Sequence, residues 1–81
     1  METFRTKDFY LSCTLLSNNI KLIKSEKDSI KNTVFFIFDV SDNQDIYNEI
    51  IHNFVNQQCF VNVKKFTWAM KILREELSKW K

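Results

Sequence analysis

The 81-residue chain contains no glycine and no proline. Without glycine there is no glycine-rich phosphate loop, which excludes P-loop and dinucleotide-binding fingerprints outright. Turns must be made by Asn, Asp and Ser, which form or tolerate turn geometry by their own side-chain hydrogen bonds. Histidine occurs once, at His52, and the two cysteines, Cys13 and Cys59, lie far apart. These form no metal-ligand spacing and no nucleophile–base–orienter set. The first thirty residues lack a signal-peptide apolar core, and no run approaches the ~18 apolar residues of a membrane span. The expectation is a cytoplasmic, non-catalytic protein with no metal or cofactor, no membrane contact, and two reduced, buried thiols.

Charge of one sign is missing locally. Residues 32–58 hold no Lys or Arg but four acids, Asp39, Asp42, Asp45 and Glu49. Six bases and two acids fill residues 59–81, and six bases and four acids fill residues 1–31. The net charge of +2 therefore conceals a charge-segregated molecule, which argues against generic nucleic-acid affinity.

What the chain does have is aromatic residues, 15% of the total, and a concentrated run of them. Val34-Phe35-Phe36-Ile37-Phe38 is entirely β-branched or aromatic, and Asp39 ends it. Alternation places Val34, Phe36 and Phe38 on one face and Phe35 and Ile37 on the other. Both faces are apolar, so the run predicts a central strand covered on both sides, or on one side by a partner.

The segment around Phe9, Cys13, Leu16 and Ile20 fits a helix stripe, with Thr6 and Asp8 in its first turn and Asn18-Asn19 at its end. One Asn in left-handed geometry replaces the missing Gly there. Ile20–Ser25 reads as a strand joined to the aromatic strand by a solvated loop, giving an antiparallel hairpin. A solvated rim is the plain reading of Lys21, Lys24, Lys27 and Lys31, and phosphate contact is the alternative.

Ser41 and Gln44 have the spacing of a capping box. A helix follows, with Ile46, Ile50 and Phe54 on one stripe beside Tyr47, Ile51 and Val55. Asp42 and Asp45 near its start complement the helix dipole, a plainer role than metal binding. Cys59–Val63 reads as a third strand. From about Lys64 to Trp80, the residues Phe66, Met70, Leu73, Leu77 and Trp80 form a seam that docks a last helix. Trp68 and Ile72 are apolar surplus to that seam, which makes them candidates for a partner surface as well as for core. The residues thus predict one α+β domain over 1–81, ordered α-β-β-α-β-α, a three-stranded sheet with packed helices.

The aromatic strand bears a superficial likeness to that of an RNA-recognition motif, but the basic residue and glycine of that motif are absent and the element order differs. DNA binding by the basic last helix, through Lys64, Lys65, Lys71, Arg74 and Lys79, is better supported. Glu75 and Glu76 interrupt its basic face, and a solvated helix surface is the plainer account.

TKDFYLSCTLLS, then IKLI, the Phe-x-Phe strand, the acidic helix and V-x-V-K-K-F before the last helix together resemble an uncharacterised family of short bacterial and phage proteins. The likeness spans almost the whole chain and rests on apolar and capping residues. Members often carry Gly where Asn19 stands and Pro near Lys64 or Lys65. The resemblance implies a common fold, fixes no active site, and implies a role in phage or plasmid biology.

Two functions of different class follow. One is a small protein-binding inhibitor or adaptor, including an anti-CRISPR-like role. It would use Asp42, Asp45 and Glu49 to occupy a basic groove, or Trp68 and Ile72 to dock. The alternative is a dimeric nucleic-acid-binding accessory domain, its last helix paired with that of a second copy.

Overall fold

The computed structural model describes residues 2–57 and 61–80 of the chain. It is an α+β fold in the order β1 (Thr3–Thr6), α1 (Phe9–Ser17), β2 (Lys21–Asp28), β3 (Thr33–Asp39), α2 (Gln44–Val55) and α3 (Val63–Ser78). The sheet is antiparallel with the order β1-β3-β2, so the aromatic run is the central strand.

The three-stranded α+β expectation holds, but the third strand is drawn from the other end of the chain. Residues 3–6 are extended because Thr6 and Asp8 organise a turn rather than a first helical turn. The Thr6 hydroxyl oxygen accepts from the Asp8 N–H at 3.1 Å, and the Asp8 carboxylate accepts from the Leu11 N–H at 3.0 Å. Asp8 is thus an N-cap, and the helix begins only at Phe9. Of the expected strand at Cys59–Val63, residues 59 and 60 lie outside the described residues. Val61 and Asn62 belong to no element, and Val63 opens α3. Asn62 is the reason: its side-chain oxygen accepts from the Lys65 N–H at 3.1 Å and caps the helix there. The capping box at Ser41 and Gln44 does not form either. Ser41 turns its hydroxyl to Asp39 at 2.5 Å, α2 starts at Gln44 behind Asn43, and the Gln44 amide reaches Glu2 instead.

Asn19 ends α1 as expected, with φ 66°. The N–H of Asn19 bonds to the Leu16 carbonyl and that of Ile20 to the Leu15 carbonyl, both at 3.1 Å. This is the double-bonded Schellman closure, and fully buried Leu15 and Ile20 supply its apolar contact. The hairpin is tighter than expected, because β2 runs on to Asp28. The Asp28 carboxylate accepts from the N–H groups of Ile30 and Lys31, and Asn32 takes φ 54°.

Register assigns the two faces of the sheet. Phe4 stands opposite Phe38 on β1, and Leu22 opposite Phe38 on β2. That face carries Phe36 and Phe38, both buried, against Leu11, Cys13 and Leu15 of α1, Ile50 of α2, and Ala69 and Leu73 of α3. All three helices therefore lie on one side. On the other side Ile37 is buried and Phe35 partly so, and none of the described helices lies there. Arg5 and Glu26, from the two flanking strands, meet over this face at 3.9 Å. The Arg5 guanidinium lies 3.7 Å from the Phe35 ring centroid, and Lys24 joins Glu26 at 3.1 Å. Long charged side chains thus cover with their stems what a second layer would otherwise cover.

The exposed Asn19 isolates a backbone effect. Asn19→Val is expected to lower unfolding free energy by about 1–2 kcal/mol, the cost of a β-branched residue at positive φ. Asn19→Gly should not lower it. Thermal melts of both variants check this.

Candidate functional site

The acidic and basic segments occupy opposite flanks. Tyr47 of α2 packs against Phe4 of β1 with ring centroids 5.2 Å apart, which places α2 over the β1 edge. Ser25 of β2 bonds to α3, which places α3 over the β2 edge. Helix α1 packs against both.

On the acidic flank, Asp42 precedes the helix, Asp45 lies in its first turn and Glu49 one turn on, and all three are exposed. None caps α2 by a side-chain hydrogen bond. Asp45 and Glu49 share one helix face four residues apart. Asp39 nearby is held below the ordinary carboxylate range, chiefly by the Ser41 hydroxyl and N–H. His52 is exposed, its Nε2 3.3 Å from the Asn56 amide nitrogen.

The five candidate bases of the last segment are not equivalent: four lie in α3, and Lys79 is its C-cap. Lys64 and Lys65 are exposed in the first turn, which contains no acid. Cations there oppose the positive end of the helix dipole, an unfavourable placement that concentrates positive potential. Lys71 and Arg74 line an open groove of about 390 Å³ with Thr67, Met70, Glu75 and Ser78. The Arg74 guanidinium also stands 5.9 Å from the Phe9 ring. Lys79 pairs with Glu76 at 2.9 Å. The surplus apolar residues lie elsewhere on the same helix: Trp68 is 51% exposed, and Ile72 is partly buried.

A polar cluster around the buried Ser25 left little trace in the sequence. Ser25, 8% exposed, donates to the Glu76 carboxylate at 2.6 Å and accepts from the Trp80 indole N–H at 2.9 Å. These bonds hold Glu76 below the usual carboxylate range, the Ser25 hydroxyl contributing most. The only available sign was a lone short hydroxyl within a strand of charged residues. The cluster anchors α3 to β2 and leaves Trp68 outside the contact.

Cys13 is fully buried, and desolvation pushes its thiol up to about 11 against the opposing charge of Arg74. A thiol in that condition is a small core residue rather than a nucleophile at neutral pH. Among the described residues, no group of three or more His, Cys, Asp or Glu is placed to hold a metal.

Ser25→Ala should destabilise by about 1–2 kcal/mol, because it leaves the indole N–H and the carboxylate each short of a partner. Denaturant titration tests it. Glu76 has a folded pKa below its unfolded value, so its contribution is present above about pH 4.5 and is lost as pH falls through the folded value. The loss of stability on acidification should therefore be shallower in Glu76→Gln than in the parent, as read by unfolding titrations from pH 6 downward, with ~ one titrating carboxylate removed.

A family model described as a domain of unknown function, DUF5659, matches residues 1–78. Comparison with curated proteins and with solved structures gives no match.

Proposed function

The chain belongs to the DUF5659 family, and we propose that it is a small non-catalytic binding protein that acts through protein–protein contact as an inhibitor or adaptor. The observation that carries this reading is Trp68, half exposed on a helix already anchored through Ala69, Leu73 and the Ser25 cluster. An exposed Trp on a rigid helix is the residue type that dominates interface energetics, and Ile72 extends its apolar surface. Asp42, Asp45 and Glu49 add an acidic strip on the opposite flank, suited to a basic, nucleic-acid-binding groove on a partner. Occupying such a groove is how an anti-CRISPR-like or other mobile-element inhibitor would act. Among the described residues, no helix is long and apolar enough to cross a membrane. A cytoplasmic protein partner completes this reading.

A second reading draws on Lys64 and Lys65 at the start of α3 and on Lys71 and Arg74 in the groove. It is a nucleic-acid-binding accessory domain, dimeric through α3. Glu75 in the groove and the Lys79–Glu76 pair reduce its net positive charge.

Tagged protein should capture one stoichiometric partner from its native host. Trp68→Ala, or joint reversal of Asp42, Asp45 and Glu49 to Lys, should reduce that capture at least about tenfold. Capture unchanged by both variants contradicts the reading. Gel shifts address the alternative: nucleic-acid binding at ~50 mM salt that weakens steeply as salt rises would favour it.

A further inference from the structure

Helix α3 buries Ala69 and Leu73, and Trp68 stands about 100–140° round the helix from them, facing away from the core. Lys64, Lys65 and Lys71 lie within about 60° of Trp68 and within about one turn of it. All three are exposed. Two more charges share this face: Glu75, two turns on and exposed, and Lys79, paired with Glu76 at 2.9 Å. Outside that pair, three lysines stand against one carboxylate, a surplus of two positive charges. The carboxylate lies towards the C-terminal end, so the surplus surrounds Trp68.

Helix α2 presents the counterpart. It buries Ile50, and Asp45 and Glu49 stand about 100–140° round from that residue. Asp42 precedes the first turn, and Ile46, 43% exposed, lies about 60° from Glu49. His52, also on the outward side, is the one basic side chain in α2. Arg5 of the adjacent strand is engaged by Glu26 and the Phe35 ring on the reverse of the sheet. Lys7 follows the end of β1 remote from the Glu2–Gln44 contact. Each helix thus joins one exposed apolar side chain to charges of one prevailing sign. Helix α1 packs between α2 and α3, which keeps the two faces from neutralising each other within one molecule.

We propose that the Trp68 face of α3 docks on the Asp42–Glu49 face of α2 in a second copy of the chain, head to tail. This rests on the reading of both faces as protein-binding and names one occupant for the two of them. Lysines meet carboxylates around a contact between Trp68 and Ile46. Because the two faces differ, every added copy leaves one of each open, and association runs on into short chains or closes into a ring. A symmetric contact between two α3 helices would instead set lysine against lysine. A few exposed ion pairs around a single aromatic anchor make a weak contact that salt dissolves.

The test is sedimentation velocity of the full chain from micromolar to millimolar concentration, at ~20 mM and ~500 mM salt, with an NMR dilution series of the labelled chain. Two variants accompany it: one with Asp42→Lys, Asp45→Lys and Glu49→Lys, the other with Lys64→Glu, Lys65→Glu and Lys71→Glu. The parent should sediment faster as its concentration rises at low salt, and should not do so at high salt. Dilution should move the amides of residues 42–49 and the Trp68 indole together. Each variant alone carries two faces of one sign and should stay monomeric, whereas their equimolar mixture should associate. Trp68→Ala should weaken association of the parent at least about tenfold. A parent that is monomeric at millimolar concentration in low salt overturns the proposal, as do dilution shifts confined to other residues, which need no variant to fold. Association of the acid-reversed variant by itself, the mark of a symmetric α3 contact, overturns it too. If the parent stays monomeric while capture of a host partner depends on Trp68 or the acidic strip, only the self-association falls. If capture ignores both, the binding reading itself falls.

Discussion

The constraint on which the rest depends is the burial of α1 against the Phe36–Phe38 face of β3. This helix is not amphipathic in the usual sense, because it is covered nearly all round: Leu11, Ser12, Cys13, Thr14, Leu15 and Ser17 are all buried. Buried hydroxyls would be costly without partners. Ser12, Thr14 and Ser17 return theirs to carbonyls of α1 and its cap at 2.7–2.9 Å. Truncating a buried aromatic ring costs about 3–5 kcal/mol, against roughly 4–12 kcal/mol of total stability for a chain of this length. Phe36 and Phe38 are therefore individually decisive.

A second consequence is asymmetry. With all three helices on one face, the described residues over Phe35 and Ile37 on the reverse of the sheet include the Arg5–Glu26–Lys24 charges. That face is polar at its surface although its centre is apolar. The large exposed aromatic of the last helix and the separated charges instead lie on the helix flanks, acidic over the β1 edge and basic beside β2. Segregation along the chain becomes segregation in space because α1 stands between α2 and α3.

Much of this was legible in the residues, and the omissions have physical causes. The run at 34–38 announced a central strand, since no other stretch is apolar at both parities. Asn19 announced a helix end, since the chain lacks glycine. The four residues of β1 were too short for periodicity, and Thr6 and Asp8, residues typical of a helix start, drew the predicted boundary too early. Val61 and Val63 looked like strand residues, yet Asn62 between them is a helix cap, and a local hydrogen bond prevailed over propensity. Among candidate site residues, the separation of Trp68 from the docking seam followed from helix spacing alone. The Ser25 cluster did not, because it joins residues more than fifty positions apart.

Native-state hydrogen exchange tests the central claim most directly. If α1 and β3 form one inseparable core, the amides of Cys13, Leu15, Phe36 and Phe38 exchange only through global unfolding and report the same free energy. Exchange of the α1 amides through a local opening, at a free energy well below that of the β3 amides, would contradict it.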